Sequence, residues 1–335
     1  MLRMYGDLLP VKFRDLTHAE LESYISEVTT STQQNLLRQG ADLDFSYVSS
    51  NGNRFRANIF RKDTGLGANF RTITEKVPSL ESLQLPKIIQ DLCDNQQGLI
   101  LVTGSTGTGK STTLAAMIDY LNTRRKLNII SLEDPIEFIH CSKESQVIQR
   151  ELHTHIPSFS EGVRAALRED PDVILVGELR DADTIRWAMT AAETGHLVLG
   201  TLHTTGAIKT IDRIIDALPA DEREQTKSFL AQSLLAVITQ ALVKGTDQRS
   251  RKAVCEIMVI TRAISKLIMT DQTHQILSQL QTGRNVGMQT LDQALLEGIQ
   301  QKRLDPDDAY LYANDKQLFT RHVTDISILP KLDLN

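Results

Sequence analysis

The chain has 335 residues, of which 41 % are hydrophobic, 24 % charged and 5 % aromatic, and it carries a net charge of −5. Such a length exceeds one comfortable core and implies two domains, while the acidic balance provides no footprint for gripping nucleic acid along its length. Three scattered cysteines, Cys93, Cys141 and Cys255, form neither a disulfide framework nor a zinc knuckle and fit a reducing cytoplasm; no apolar run approaches the ~18 residues of a membrane span, so any membrane association runs through a partner and not through insertion.

Up to about residue 70, short β-prone pieces alternate with polar turns around one helical stretch at 19–37. Residues 42–48 and 54–60 flank Asn51-Gly52 and read as a hairpin with alternating faces. Residues 72–86, with Pro78 and Pro86, read as a linker into a helix that Gly98 ends, placing a domain boundary near residue 80. The pattern then becomes strand, loop, helix. Apolar strands at 99–102, 127–132, 173–176 and 197–202, separated by helices that include 112–118, 162–167 and 184–192, predict a mostly parallel sheet covered on both faces. From about residue 221 the chain reads as helical at 222–243, 263–269, 273–280 and 291–301, interrupted by one strand at 253–260. Residues 314–335 carry no assignable pattern.

Between the strand at 99–102 and the helix at 112–118 lies Gly104-Ser105-Thr106-Gly107-Thr108-Gly109-Lys110-Ser111, followed by Thr112, a complete G-x-x-x-x-G-K-[ST] phosphate loop. Its glycines let backbone N–H groups and the helix N-terminus converge on a polyphosphate. Lys110 adds charge for the β and γ phosphates and the Ser111 hydroxyl is a ligand for Mg²⁺, so ATP or GTP binding follows.

The second strand runs into Glu133-Asp134-Pro135-Ile136-Glu137, which reads as a water-activating carboxylate beside the phosphate loop, or else as a solvated strand end or a helix cap. Asp172-Val173-Ile174-Leu175-Val176-Gly177-Glu178 resembles a Walker B strand with Gly177 where an aspartate usually stands. Glu178 then holds the Mg²⁺ shell or orients water, or else pairs with Arg180 as an exposed loop carboxylate. His196 and His203 flank the fourth strand, roughly 23 Å apart if fully extended, so they cannot ligate one metal; each is a γ-phosphate sensor or a structural group. Arg54, Arg56, Arg61 and Arg71 punctuate the end of the first domain, as a solvated face or as arginines delivered to a γ-phosphate.

Four landmarks in order give the chain a resemblance to the secretion-type ATPases and, within them, to the retraction ATPases of type IV pili. These are the phosphate loop, the aspartate box at 130–138, the segment at 164–172 running into Gly177-Glu178-Leu179-Arg180-Asp181, and the histidine box around His196 and His203. The resemblance spans about residues 6–304. It implies a PAS-like α/β first domain over 1–80 and a RecA-like ATPase domain over 81–335. It makes Glu133 the catalytic glutamate, Glu178 the Walker B glutamate, His196 and His203 the histidine-box residues, and Arg54, Arg56, Arg61 and Arg71 nucleotide-contacting arginines at an interface of a hexamer. The absent tetracysteine insertion favours the retraction branch.

Two departures bear on that reading. The chain starts at a segment resembling the family's Gly-Asp-Leu-Leu-Pro element, so its first domain is expected to be shortened. The retraction motif, usually close to Ala-Ile-Arg-Asn-Leu-Ile-Arg-Glu, is here Ala263-Ile264-Ser265-Lys266-Leu267-Ile268-Met269-Thr270, with its apolar skeleton kept and its charges changed. The expected function is a Mg²⁺-dependent, homo-hexameric ATPase, cytoplasmic and peripheral at the inner-membrane base of a pilus. Its expected partners are a platform protein and other pilus motors, with no nucleic acid. The rival readings are a conjugation or type IV secretion ATPase, a nucleic-acid translocase and a non-hydrolysing pilus regulator.

Overall fold

The computed structural model describes residues 1–4, 7–73 and 76–330, in two compact units. One comprises residues 1–76 together with 135–139; the remainder forms the other. The expected linker at 72–86 includes Thr74 and Glu75, the tail at 314–335 includes residues 331–335, and the resemblance begins at Gly6; these positions lie outside the described residues.

In the first unit β1 (Leu2–Met4) pairs antiparallel with β2 (Asp7–Leu9), followed by α1 (His18–Val28) and α2 (Ser31–Arg38). The single helix expected at 19–37 is therefore two. Thr30 starts the second, its side chain accepting from Gln33 N–H while the Gln33 side chain accepts from Thr30 N–H, a capping box that competes with helix continuation. An antiparallel sheet, β3 (Leu43–Val48), β4 (Arg54–Lys62) and β5 (Gly65–Ile73), completes the unit; its first two strands form the expected hairpin and its third extends into the expected linker. Leu43 and Ile59 pack with Ile25 and Leu37 of the helices. Because side chains alternate along a strand, Arg61 shares the face of Ala57 and Ile59. Arg54 and Arg56, with Arg71 in register opposite Arg56, occupy the other.

The second unit opens with α3 (Ile88–Cys93), which ends before Gly98; that glycine begins the first strand and does not terminate a helix. Then come β6 (Gly98–Thr103), α4 (Lys110–Arg124), β7 (Asn128–Glu133), β8 (Gln146–Glu151), α5 (Phe159–Ala166), β9 (Val173–Val176), α6 (Ala182–Glu193), β10 (Leu197–Leu202) and α7 (Ala207–Ala217). There follow α8 (Arg223–Ser233), β11 (Leu234–Lys244), β12 (Arg251–Val259), α9 (Arg262–Met269), α10 (Ile276–Thr282), α11 (Leu291–Gln300), α12 (Pro306–Tyr312) and α13 (Lys316–Phe319). Seven strands form one sheet in the order β12-β11-β6-β10-β9-β7-β8, parallel except for β12. The mixed α/β architecture matches the expected RecA-like domain with a mostly parallel sheet.

The helix expected at 222–243 is corrected to α8 followed by β11. The apolar run from Leu234 fits a helix or a fully buried strand equally well, and Val237, Ile238 and Thr239 tip it toward the strand once it is flanked by β6 and β12. Alternate β6 residues serve two cores. Leu99 and Leu101 pack toward α5, α6 and α7, and Ile100 and Val102 toward α3 and α4. A third cluster, with Leu295, Leu304, Tyr310 and Phe319, joins α11, α12 and α13 to Val243 and Val254 of β11 and β12.

Candidate active site

The carboxyl ends of four parallel strands carry the expected residues: β6 enters the phosphate loop, β7 ends at Glu133, β9 leads to Glu178 and β10 leads to His203. Ligands of open α/β sheets bind at this edge because the loops leave from it and helix N-termini face it. The loop is shaped by backbone that only glycine adopts cheaply. Gly104 has φ 137°, and a Cβ there would sit 2.4 Å from the carbonyl oxygen of Gln240; Gly109 has φ 88°, and its Cβ would lie 2.9 Å from Gln240 Nε2. Ser105, Thr106 and Gly107 form the exposed tip, Thr108 is buried, Ser111 is exposed at the first turn of α4, and Thr112 is half-buried beside it.

Lys110 is folded into the loop. Its Nζ donates to the carbonyl oxygens of Gly104 at 2.7 Å and Ser105 at 3.1 Å, and lies 3.4 Å from His203 Nδ1. An ammonium has only donors, so Nδ1 accepts and the imidazole proton sits on Nε2, which faces Glu178 Oε1 at 3.3 Å. Glu178 also receives Arg180 Nε at 2.5 Å, and Arg180 reaches Asp134 at 3.4 Å. Lys110, His203 and Glu178 thus form one polar line over the strand ends. The Glu178 carboxylate that pairs with Arg180 also faces the loop lysine through His203. The Ser111 hydroxyl and the Glu178 carboxylate are hard oxygen donors suited to a divalent cation such as Mg²⁺. Among the described residues no group of three or more His, Cys, Asp or Glu side chains is placed to hold a metal ion.

Glu133 is set apart from the loop in the sheet. Strands β10 and β9 lie between β6 and β7, a separation of roughly 14 Å at about 4.8 Å per strand. Its Oε1 accepts from Ser131 Oγ at 2.7 Å and Gln149 Nε2 at 2.9 Å. Ser131 and Glu133 alternate with Ile130 and Leu132, so they continue the sheet face that α4 covers. Gly177 explains the altered Walker B strand: a Cβ there would stand 3.0 Å from Leu132 O and 3.3 Å from Glu133 Cα, so the absent side chain lets β9 and β7 close together where both glutamates emerge.

His196 does not join this group within the chain. It precedes β10 at the amino edge of the sheet, with Nδ1 2.8 Å from Ala191 O and 3.2 Å from Thr194 Oγ1, and it steadies the turn between α6 and β10. The four arginines are also separated. Arg56 makes a two-pronged bond to Asp44 and comes within 3.9 Å of Glu137, while Arg61 donates to Leu37 O at the end of α2. Arg54 and Arg71 make no ion pair or side-chain hydrogen bond among the described residues.

Sequence reading missed Gln240, which is 4 % exposed and lies on β11, a strand mistaken for helix. Its Oε1 accepts from Thr113 Oγ1 of α4 and its Nε2 donates to Thr108 O of the loop, both at 2.7 Å. Next to it, Thr239 and Thr103 share a hydroxyl bond at 2.9 Å. A polar residue in an otherwise apolar buried run was the available signal. A cleft of about 250 Å³ opens beside these groups, lined by Ser82, Gln84, Thr112, Gln240, Leu242 and Arg251 among others.

A family model described as Type II/IV secretion system protein matches residues 80–310. The chain is 47 % identical to a twitching motility protein of Neisseria gonorrhoeae over 95 % of its own length and 85 % of the relative. It is 48 % identical to the type IV pilus retraction ATPase PilT of Pseudomonas aeruginosa over 88 % and 86 %. The crystal structure of the pilus retraction motor PilT with bound ADP superposes with a TM-score of 0.82 at 39 % identity, covering 90 % of this chain and 85 % of that one. The phosphate loop, the two strand-end glutamates and His203 stand on the fold those relatives share, and the chain belongs to the Type II/IV secretion system ATPases, in their PilT-like branch.

Proposed function

We propose that the chain is an ATP-hydrolysing motor of type IV pilus retraction that works with Mg²⁺ as a ring of six copies against an inner-membrane platform protein, at the cytoplasmic base of the pilus. The observation that carries the chemistry is the line Lys110–His203–Glu178 over the strand ends. In this reading the β and γ phosphates displace the Lys110 ammonium from the carbonyls of Gly104 and Ser105, and the lysine and the loop N–H groups hold them. Ser111 and Glu178 hold Mg²⁺, which when bound neutralises charge on the phosphate oxygens. Glu133 accepts the proton of the attacking water. The same turn of Lys110 breaks its bond to His203 Nδ1 while Nε2–H still faces Glu178, so the ring links nucleotide binding to that carboxylate.

Arg54 and Arg71 are the first-unit arginines assigned to a γ-phosphate, supplied to a neighbouring copy. Arg56 orders the sheet through Asp44, Arg61 ties β4 to α2, and His196 belongs to the frame of β10. Loss of the γ-phosphate releases those contacts, and the resulting movement about residues 72–86 is the stroke that extracts pilin.

The test is the Glu133→Ala variant. It is expected to bind a fluorescent ATP analogue as wild type does while losing steady-state phosphate release, and wild-type turnover would falsify the assigned base. In cells, deletion of the gene is expected to leave excess unretracted pili and no twitching, restored by the wild-type chain and not by Glu133→Ala.

A further inference from the structure

Glu133 does not hold its position alone. In the parallel pair of β7 and β8, Ser131 lies in register with Gln149, so both side chains leave the same face of the sheet and Glu133 follows two residues on. Ser131 Oγ donates to Glu133 Oε1 at 2.7 Å and Gln149 Nε2 donates to the same oxygen at 2.9 Å. The other end of the Gln149 amide is committed as well, since its Oε1 accepts the backbone N–H of His140 at 2.8 Å. That N–H can bond only an acceptor, which fixes the amide so that its NH₂ faces the carboxylate. Ser131 is 1 % exposed and packed into the strand, so its hydroxyl has little freedom to turn elsewhere.

We infer that Gln149 is a positioning residue for Glu133, assisted by Ser131: together they clamp one carboxylate oxygen and thereby set the direction in which the carboxylate meets water. The inference rests on Glu133 being the base. Side chains that aim a catalytic group act on the chemical step, because a displacement of about 1 Å costs on the order of 100-fold in rate while ground-state binding is made elsewhere. Gln149 also staples the two ends of the excursion at 135–139: it bonds Glu133, just before the chain leaves the second unit, and His140, where it returns. A purely structural role as that staple is the alternative that the experiment must separate.

Steady-state kinetics on the full chain make the separation. Gln149→Leu is expected to lower kcat by about 10- to 100-fold with KM for ATP and the affinity for a fluorescent ATP analogue within about twofold of wild type. Ser131→Ala is expected to show the same split to a smaller degree and serves as the second variant if Gln149→Leu does not fold. Added to Glu133→Gln, Gln149→Leu is expected to cause no further loss of the residual rate. Unchanged kcat in both single variants overturns the inference. So does a parallel fall in kcat, nucleotide affinity and melting temperature, which marks a structural staple, or a full additional loss on top of Glu133→Gln. Wild-type turnover in Glu133→Gln alone sinks the assignment of the base instead, independently of what Gln149→Leu does.

Discussion

The side-chain amide of Gln240 donates to the backbone carbonyl of Thr108 across 132 positions of sequence. Through that bond β11, the strand beside the loop-bearing β6, braces the phosphate loop, and through Thr113 it braces the helix that the loop enters. Replacing it by leucine leaves two buried partners unsatisfied, at a cost of about 1–3 kcal/mol. Gln240→Leu is expected to weaken ATP-analogue binding by about tenfold and to lower the melting temperature, measured by fluorescence titration and calorimetry.

Gly177 provides a second test. Gly177→Asp restores the usual Walker B side chain yet drives a Cβ to 3.0 Å from Leu132 O, so overpacking of about 1–3 kcal/mol is expected at the ends of β7 and β9. Phosphate release is expected to fall at least tenfold while far-UV circular dichroism keeps its wild-type shape. A fully active Gly177→Asp chain would show that the strands open without disturbing Glu133.

The arginines divide by sheet face. Arg54→Ala and Arg71→Ala are expected to lower kcat by about 10³- to 10⁵-fold if either supplies charge to a γ-phosphate. Arg61→Ala removes the bond to Leu37 O and is expected to lower thermal stability instead, with turnover close to wild type. Side-by-side kinetics and melting curves of the three variants check the division.

Glu256 links stability to pH. Burial pushes its carboxyl pKa up, against the lowering effect of the N–H groups of Ala207 and Leu291 at the starts of α7 and α11. A raised folded-state pKa means that the favourable contribution is complete below the unfolded value of about 4.5 and is lost as pH climbs through the folded value. Glu256→Gln keeps an acceptor oxygen without the charge, so its melting temperature is expected to exceed wild type at neutral pH and the two to converge near pH 4. Equal melting temperatures at pH 7 would remove the linkage.

Much of this site was legible as sequence because a phosphate loop is a local device: consecutive residues supply its turn, its lysine and its hydroxyl. Glu178 and His203 were legible for a related reason, as each directly follows an apolar strand. What pattern reading did not deliver depends on which strands are neighbours. The distance of Glu133 from the loop follows from two intervening strands, and the contact that excludes a side chain at Gly177 is made with β7, over 40 positions earlier in the chain. Likewise the segregation of Arg61 from Arg54 and Arg71 emerges only from cross-strand register. The strand at β11 was misread because an apolar run carries no period to distinguish strand from helix, and with it went Gln240.

The excursion at 135–139 has a practical outcome for taking the molecule apart. Since these five residues belong to the first unit, the backbone passes between units three times: after Lys76, after Asp134 and after Ile139. No single cut yields both units whole. A fragment ending at Lys76 is missing Glu137, the second carboxylate near Arg56, and a fragment beginning at Val77 carries an orphaned loop directly behind Glu133. Activity lost on such truncation would report the severed loop as much as the missing domain, and a circularly permuted chain that keeps all three passages is the cleaner instrument for asking what the first unit contributes.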